Sequence, residues 1–166
     1  VIRLRTGTVL RSTEIRPGLV ELEVEVEERR ERALAYPALT GPVTAGDRVQ
    51  LNTTAEALGL GTGGYHFVVA VLEDRALDPP APGHVMKLRY TPLQAKVMAV
   101  EEQDSPDRSR LEEISDLDGT PVVWAPLHSM LGVAAAGAKA AGADRVAYVM
   151  TDGAALPSWL SEQVHE

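Results

Sequence analysis

Two apolar runs each end on polar residues whose types could do chemistry. Trp124, Ala125, Pro126 and Leu127 lead into His128 and Ser129, and residues 145–150 lead into Thr151, Asp152 and Gly153. As parallel neighbours, the two runs would bring their tips together at the carboxyl edge of a sheet, where open α/β sheets gather ligand-binding groups. His128 and Asp152 are then the catalytic candidates, as proton-transfer groups. Ser129 and Thr151 are the ligand-binding candidates, because a hydroxyl beside first-turn helix amides suits a small anion. Each also has an ordinary role. Ser129 can cap the helix that follows, and Asp152-Gly153 reads as a turn. A serine-nucleophile elbow needs G-x-S-x-G, and those glycines are missing around Ser129.

A second group lies in LNTTAEALGLGTGGYHFVVA, residues 51–70. Gly61, Thr62, Gly63, Tyr65 and His66 are its ligand-binding candidates. A plain hairpin uses about two to five connecting residues, so a connection this long reads as a shaped functional loop. Gly59, Gly61 and Gly64 satisfy the letters of a dinucleotide fingerprint, G-x-G-x-x-G. That chemistry needs a helix after the glycines, and here the β-rich YHFVV follows, so the dinucleotide reading fails. The remaining role for the glycines is positive φ or close backbone approach. Lys87 and Arg89 would share a strand face able to attract a carboxylate or phosphate, or simply sit on a solvated surface. His66, His84, His128 and Asp152 have no metal-ligand spacing, so no metal is assigned, and no motif identifies a cofactor.

Composition narrows the classes. The chain has 166 residues and no cysteine, which removes disulfides, thiolate nucleophiles and cysteine metal sites. With 24 acidic against 16 basic residues the net charge is -8, and aromatics are 4%. Such a surface repels phosphate backbones and offers few stacking platforms, so nucleic acid is not an expected partner. The small-residue run at 133–141 contains Lys139 and is too short for a bilayer, and no leader pattern is visible. The expectation is a soluble cytoplasmic protein with no membrane partner.

The elements that must position these groups fall into two parts. Residues 20–27 read VELEVEVE, a two-residue period with Val20, Leu22, Val24 and Val26 on one face and four glutamates on the other. Arg3 and Arg5 are the expected partners of that acidic row. Further strands are predicted over 8–10, 33–36, 48–51 and 67–72, giving a small β-barrel or sandwich over 1–77. Residues 78–83, DPPAPG, form a proline-rich linker. Over 84–166 the pattern predicts a partial α/β domain. It has strands at 84–90, 122–125 and 145–150, and helices from Ser105-Pro106, over 130–141 closed by Gly142, and over 157–164. Residues 94–100 fit a strand or a helix. The fold class is therefore α+β or α/β, a small β-barrel followed by a partial α/β layer with parallel strands. An open edge on that layer would invite a second chain, so a homo-oligomer is an expected partner state.

The blocks LRTGTVL, ALAYPALTGPV, GDRVQLNTTAEALGLGTGGYHFVVA, HVMKLRYTPLQ, LHSML and VAYVMTDGAALP span nearly the whole chain. Together they resemble a bacterial family, the domain-of-unknown-function family 3866. The resemblance implies membership without a mechanism or assigned residues. It also implies a longer protein, of which this chain is the N-terminal portion. Two functions remain open: an enzyme, or part of one, acting on a small anionic metabolite at His128, Ser129, Thr151 and Asp152, and a non-catalytic interaction module using the glycine loop and barrel.

Overall fold

The strict alternation in VELEVEVE builds one wall of a closed barrel. The computed structural model describes residues 2–60, 63–73, 75–78, 82–150 and 164. Five strands form the barrel: β1 (Leu4–Arg16), β2 (Leu19–Val26), β3 (Arg29–Ala35), β4 (Arg48–Asn52) and β5 (Tyr65–Val71). Their order is β1-β2-β3-β5-β4, closing back onto β1. All neighbours are antiparallel except β3 and β5, which run parallel. This is a five-stranded Greek-key path like that of the OB-fold, and closure leaves no unpaired edge. Two short helices complete it, α1 (Pro37–Thr40) between β3 and β4, and α2 (Thr54–Ala57) between β4 and β5.

The alternating valines and leucine of β2 fill the core with Val9, Ala33, Ala35, Val43, Val49, Leu51 and Val68. Strand β1 serves two walls, pairing with β4 over residues 4–8 and with β2 from Thr8 onward. Gly7 sits at that handover. A Cβ there would lie 2.9 Å from Val26 Cγ2, 3.0 Å from the Glu25 carbonyl oxygen and 3.0 Å from Leu51 Cδ1. Only glycine lets the three strands come this close.

The glutamates face outward as expected, but their partners differ. Arg3 and Arg5 both pair with Glu27, at 3.3 and 2.5 Å. Two more of the row are answered by β3: Glu23 pairs with Arg30 at 3.2 Å and Glu21 with Arg32 at 3.4 Å. The β2–β3 register explains this, because it sets those arginines diagonally across from the acids. A turn at Ala45-Gly46-Asp47 feeds β4 and docks on β1 through Gly46 N–H to the Val9 carbonyl at 2.8 Å. Asp47 is buried and accepts bonds from Thr44 N–H at 2.8 Å, Thr44 Oγ1 at 3.1 Å and Arg75 at 2.5 Å. Burial alone would raise its pKa, but the Thr44 amide, Arg75 and the Thr44 hydroxyl outweigh it and hold the carboxyl below the ordinary range.

The chain divides into two compact units, Val1–Glu113 and Ile114–Glu166. The first also holds a small antiparallel sheet of β6 (Val85–Lys87) and β7 (Ala95–Val97), which resolves 94–100 in favour of a strand. Glu102 ties it, accepting the His84 and Ala99 amides at 2.6 Å each. Helix α3 (Arg108–Glu112) begins later than predicted, after Asp107, and Ser105 does not cap it; Ser105 Oγ accepts the Asp107 amide at 3.3 Å instead. In the second unit a 3₁₀ turn, His128–Met130, leads into α4 (Leu131–Ala140). As predicted, Gly142 ends it at φ 97°, with Ala143 N–H bonded to the Ala138 carbonyl at 3.0 Å.

Barrel, helices and small second sheet make an α+β fold. The strands predicted over 122–125 and 145–150 do not form. A buried parallel strand needs ladder partners and covering helices, and the described part of the second unit supplies one ten-residue helix. Val122 and Trp124 are accordingly 73% and 84% exposed. The helix predicted over 157–164 lies outside the described residues except for Val164.

Two expectations follow. Gly7→Ala lowers stability by about 1–3 kcal/mol through overpacking, measured by urea unfolding. Gly132→Ala in α4, where an added Cβ meets nothing within 4 Å, lowers it not at all. Asp47→Asn costs roughly 1–3 kcal/mol near neutral pH by leaving buried donors poorly answered. A depressed native pKa contributes stability above the unfolded value of about 3.9 and loses it as pH falls through the native one. The gap between wild type and Asp47→Asn therefore narrows as a pH series drops below about 4.

Candidate functional site

His66 is the best-positioned chemical group in the described chain. Strand β5 begins immediately after Gly63 and Gly64, whose φ values of 66° and 76° turn the chain into the barrel wall. From there the two-residue period sends Tyr65 and His66 to opposite faces. His66 joins Val68 on the inner face and is only 5% exposed. Its Nδ1 is shut off from water and has no hydrogen-bond partner among the described residues. Leaving a buried polar group unpaired costs about 1–3 kcal/mol, so native proteins rarely do so without a use for it.

The other groups at this mouth come from β3 and α2. Opposite partners share a face, and Glu31 stands opposite Val24 and Arg29 opposite Val26, both core residues. Glu31 and Arg29 are therefore on the inner face, at the end where the apolar filling stops. With Arg3, Glu27, Glu56 and His66 they line a cavity of about 170 Å³. Arg3 fastens α2 over it: its backbone N–H donates to Thr54 Oγ1 at 2.8 Å, and its guanidinium to Thr53 Oγ1 at 2.7 Å. Glu27 is held below the ordinary carboxylate pKa, chiefly by its hydrogen bond from Arg5.

The mouth also stores backbone strain. Glu27 and Glu28 make the two-residue turn between β2 and β3 with φ of 49° and 62°. Such a turn favours Asn and Gly, and a non-glycine residue there costs about 1–2 kcal/mol. Strain of this kind concentrates where function over-determines the backbone.

The remaining predicted residues divide differently. Tyr65 faces outward, away from the cavity, and belongs to the ion-pair lattice: its hydroxyl donates to Glu21 Oε2 at 2.9 Å and accepts from Arg32, whose guanidinium carbon lies 4.0 Å from the ring centroid. Gly61 and Thr62 lie outside the described residues, while Gly63 serves by its positive φ. Gly59 closes α2, with φ 65° and with Leu60 N–H bonded to the Ala55 carbonyl at 2.9 Å. A helix end, not a phosphate, accounts for that glycine.

At the predicted tip site, His128 Nδ1 lies 2.9 Å from the hydroxyl of Tyr148, a residue within the second apolar run. Ser129 is exposed within the 3₁₀ turn and caps nothing, and α4 has no side-chain cap. Thr151 and Asp152 lie outside the described residues. Lys87 ends β6, and Arg89 sits in the turn beyond, so the two do not share a strand face. Among the described residues no group of three or more His, Asp or Glu side chains could hold a metal ion, and no helix is long and apolar enough to cross a membrane.

Glu31, Arg29 and α2 were not read from the sequence as part of a site. The signals were there in principle: a strand register counted back from a two-residue turn at Glu27-Glu28, and a C-terminal glycine at Gly59.

No curated protein and no solved structure matches the chain. Residues 32–166 match the family described as "Protein of unknown function (DUF3866)", a match that covers most of the chain and takes in the end of β3 from Arg32, β5, α2 and His66, though not β1, β2, Arg29 or Glu31. On that match, the chain belongs to the DUF3866 family.

Proposed function

We propose that this protein is a small-ligand-binding module whose site is the barrel mouth at His66. The observation that carries the reading is the unpartnered, buried Nδ1 of His66 beside a cavity lined with charged groups. The mouths of β-barrels are a common place for ligand pockets, and drug-sized ligands occupy about 300–1,000 Å³. At about 170 Å³ this cavity suits something smaller. The outer face of β2 carries Glu21, Glu23 and Glu25, which disfavours a nucleic-acid strand there. The alternative of an anionic metabolite at His128, Ser129, Thr151 and Asp152 has one support, the His128–Tyr148 contact. No catalytic step is assigned to either place.

A second reading, an interaction role, draws on the second unit. Between residues 114 and 150 no side chain is buried, and Val122, Val123, Trp124, Leu127, Val133 and Val149 are each more than 60% exposed. Apolar exposure on this scale is uncommon on a monomer's surface and suits association, including with a second copy of the chain.

Replacing His66 by Leu removes the unpaired imidazole. The expected result is stability unchanged or raised, by up to about 1–3 kcal/mol, together with loss of ligand response. The check is a thermal-shift screen of both proteins against amino acids, amines, sugar phosphates and nucleotides. At a hundred times its dissociation constant, a ligand adds about 2.7 kcal/mol to the wild type and nothing to His66→Leu. A variant that is strongly destabilised, or that responds like the wild type, contradicts the reading. For the interaction role, sedimentation velocity across a concentration series should reveal association that Trp124→Ser weakens. A species unchanged by concentration and by the substitution argues against self-association.

A further inference from the structure

Resting on the barrel-mouth reading, we propose that the ligand is a small zwitterion, an ammonium and a carboxylate joined through one or two carbons, of the size of a small α-amino acid. The charges at the mouth separate into those already answered and those left over. Glu27 has both oxygens engaged, Oε1 by Arg5 at 2.5 Å and Oε2 by Arg3 at 3.3 Å. Arg3 is further occupied by Thr53 Oγ1 at 2.7 Å. That wall has its hydrogen bonds made, with two arginines to one glutamate.

Four side chains remain. Arg29, Glu31, Glu56 and His66 line the same cavity, and none has an ion pair or side-chain hydrogen bond among the described residues. Arg29 and Glu31 are two residues apart on one strand, so the period of β3 turns both to the mouth. Arg29, Glu31 and Glu56 therefore present one cation and two carboxylates, beside a buried His66 ring whose Nδ1 is closed to water.

A simple carboxylate would satisfy Arg29 but meet Glu31 and Glu56 with like charge. A simple amine would satisfy the two glutamates and leave Arg29 facing it. A ligand carrying both groups answers both signs: its ammonium donates to Glu31 and Glu56, its carboxylate accepts from Arg29, and the His66 ring lies against it. Charge-assisted bonds of this kind are the strong ones, and a mismatched charge is rejected more sharply than a mismatched shape. The volume agrees. At about 170 Å³ the cavity lies below the range of drug-sized ligands and admits a short zwitterion.

The test uses the full chain with labelled histidine, following the His66 imidazole by NMR during titration with L-alanine and its two halves, ethylamine and propionate. The expected result is a saturable shift of the His66 resonances with L-alanine, and affinities at least about tenfold weaker for each half. Glu31→Gln and Arg29→Met should each weaken L-alanine binding by about tenfold or more while leaving the His66 spectrum of the free protein in place. Should ethylamine or propionate match L-alanine, or both variants bind as the wild type does, the mouth binds ligands but the zwitterion assignment is wrong. Should none of the three probes move His66 at high millimolar concentration, the zwitterion assignment falls. A His66 response to another class in the same assay would then leave the barrel-mouth reading standing by itself.

Discussion

The parallel pairing of β3 with β5 is the constraint on which the rest of this structure depends. It spans three residue pairs, Arg32 with Tyr65, Ala33 with His66 and Leu34 with Phe67. Without it the barrel would be an open sheet with two edges. With it, closure decides which face each residue of β5 occupies. A slip of one residue would exchange every neighbour, placing Tyr65 in the mouth and His66 on the surface. The register is held from both sides: inside by Val68 and Ala33 in the core, outside by the Tyr65 ring against Arg32 and Glu21. Core packing and a surface ion-pair lattice, each modest alone, thus agree on one arrangement.

That agreement accounts for a division of labour among the charged residues. The outer lattice pairs Glu21 and Glu23 of β2 with Arg32 and Arg30 of β3, largely in solvent, where such pairs are individually weak. Its value lies in fixing the register and preventing self-repulsion of the acidic row. At the mouth the same residue types are arranged oppositely. Arg29, Glu31 and Glu56 have no side-chain partner among the described residues and stand at a buried imidazole, beside a strained turn at Glu27 and Glu28. A protein stabilised only for its own sake would have filled that end with an apolar side chain.

Much of the barrel was legible because strand period is local. Residues 20–27 announce their inner and outer faces directly, and Ala45-Gly46-Asp47 announces its turn. The end of α4 at Gly142 was legible for the same reason, since one glycine with positive φ closes a helix. Site membership was harder, because it depends on which strands meet. Tyr65 and His66 were both singled out, yet neighbours on a strand cannot share a pocket, and only one does. Glu31 and Arg29 lie in the charged string RRER, which looks like solvated surface until the β2–β3 register turns two of its members inward. Helix α2 has four residues, too few for a helical period to be visible. The apolar runs at 122–125 and 145–150 misled for a physical reason as well. Composition can favour a strand, but a strand exists only where a partner supplies the ladder.

The most direct measurement on the central claim is a nuclear Overhauser spectrum of the chain in solution, read at the two adjacent aromatic rings of β5. The β3–β5 register requires a contact between the Tyr65 ring and the Arg32 side chain, with no contact from the His66 ring to Arg32 or Glu21. Cross-peaks from the His66 ring to Arg32 or Glu21 would mean the opposite register, and the mouth described above would not exist.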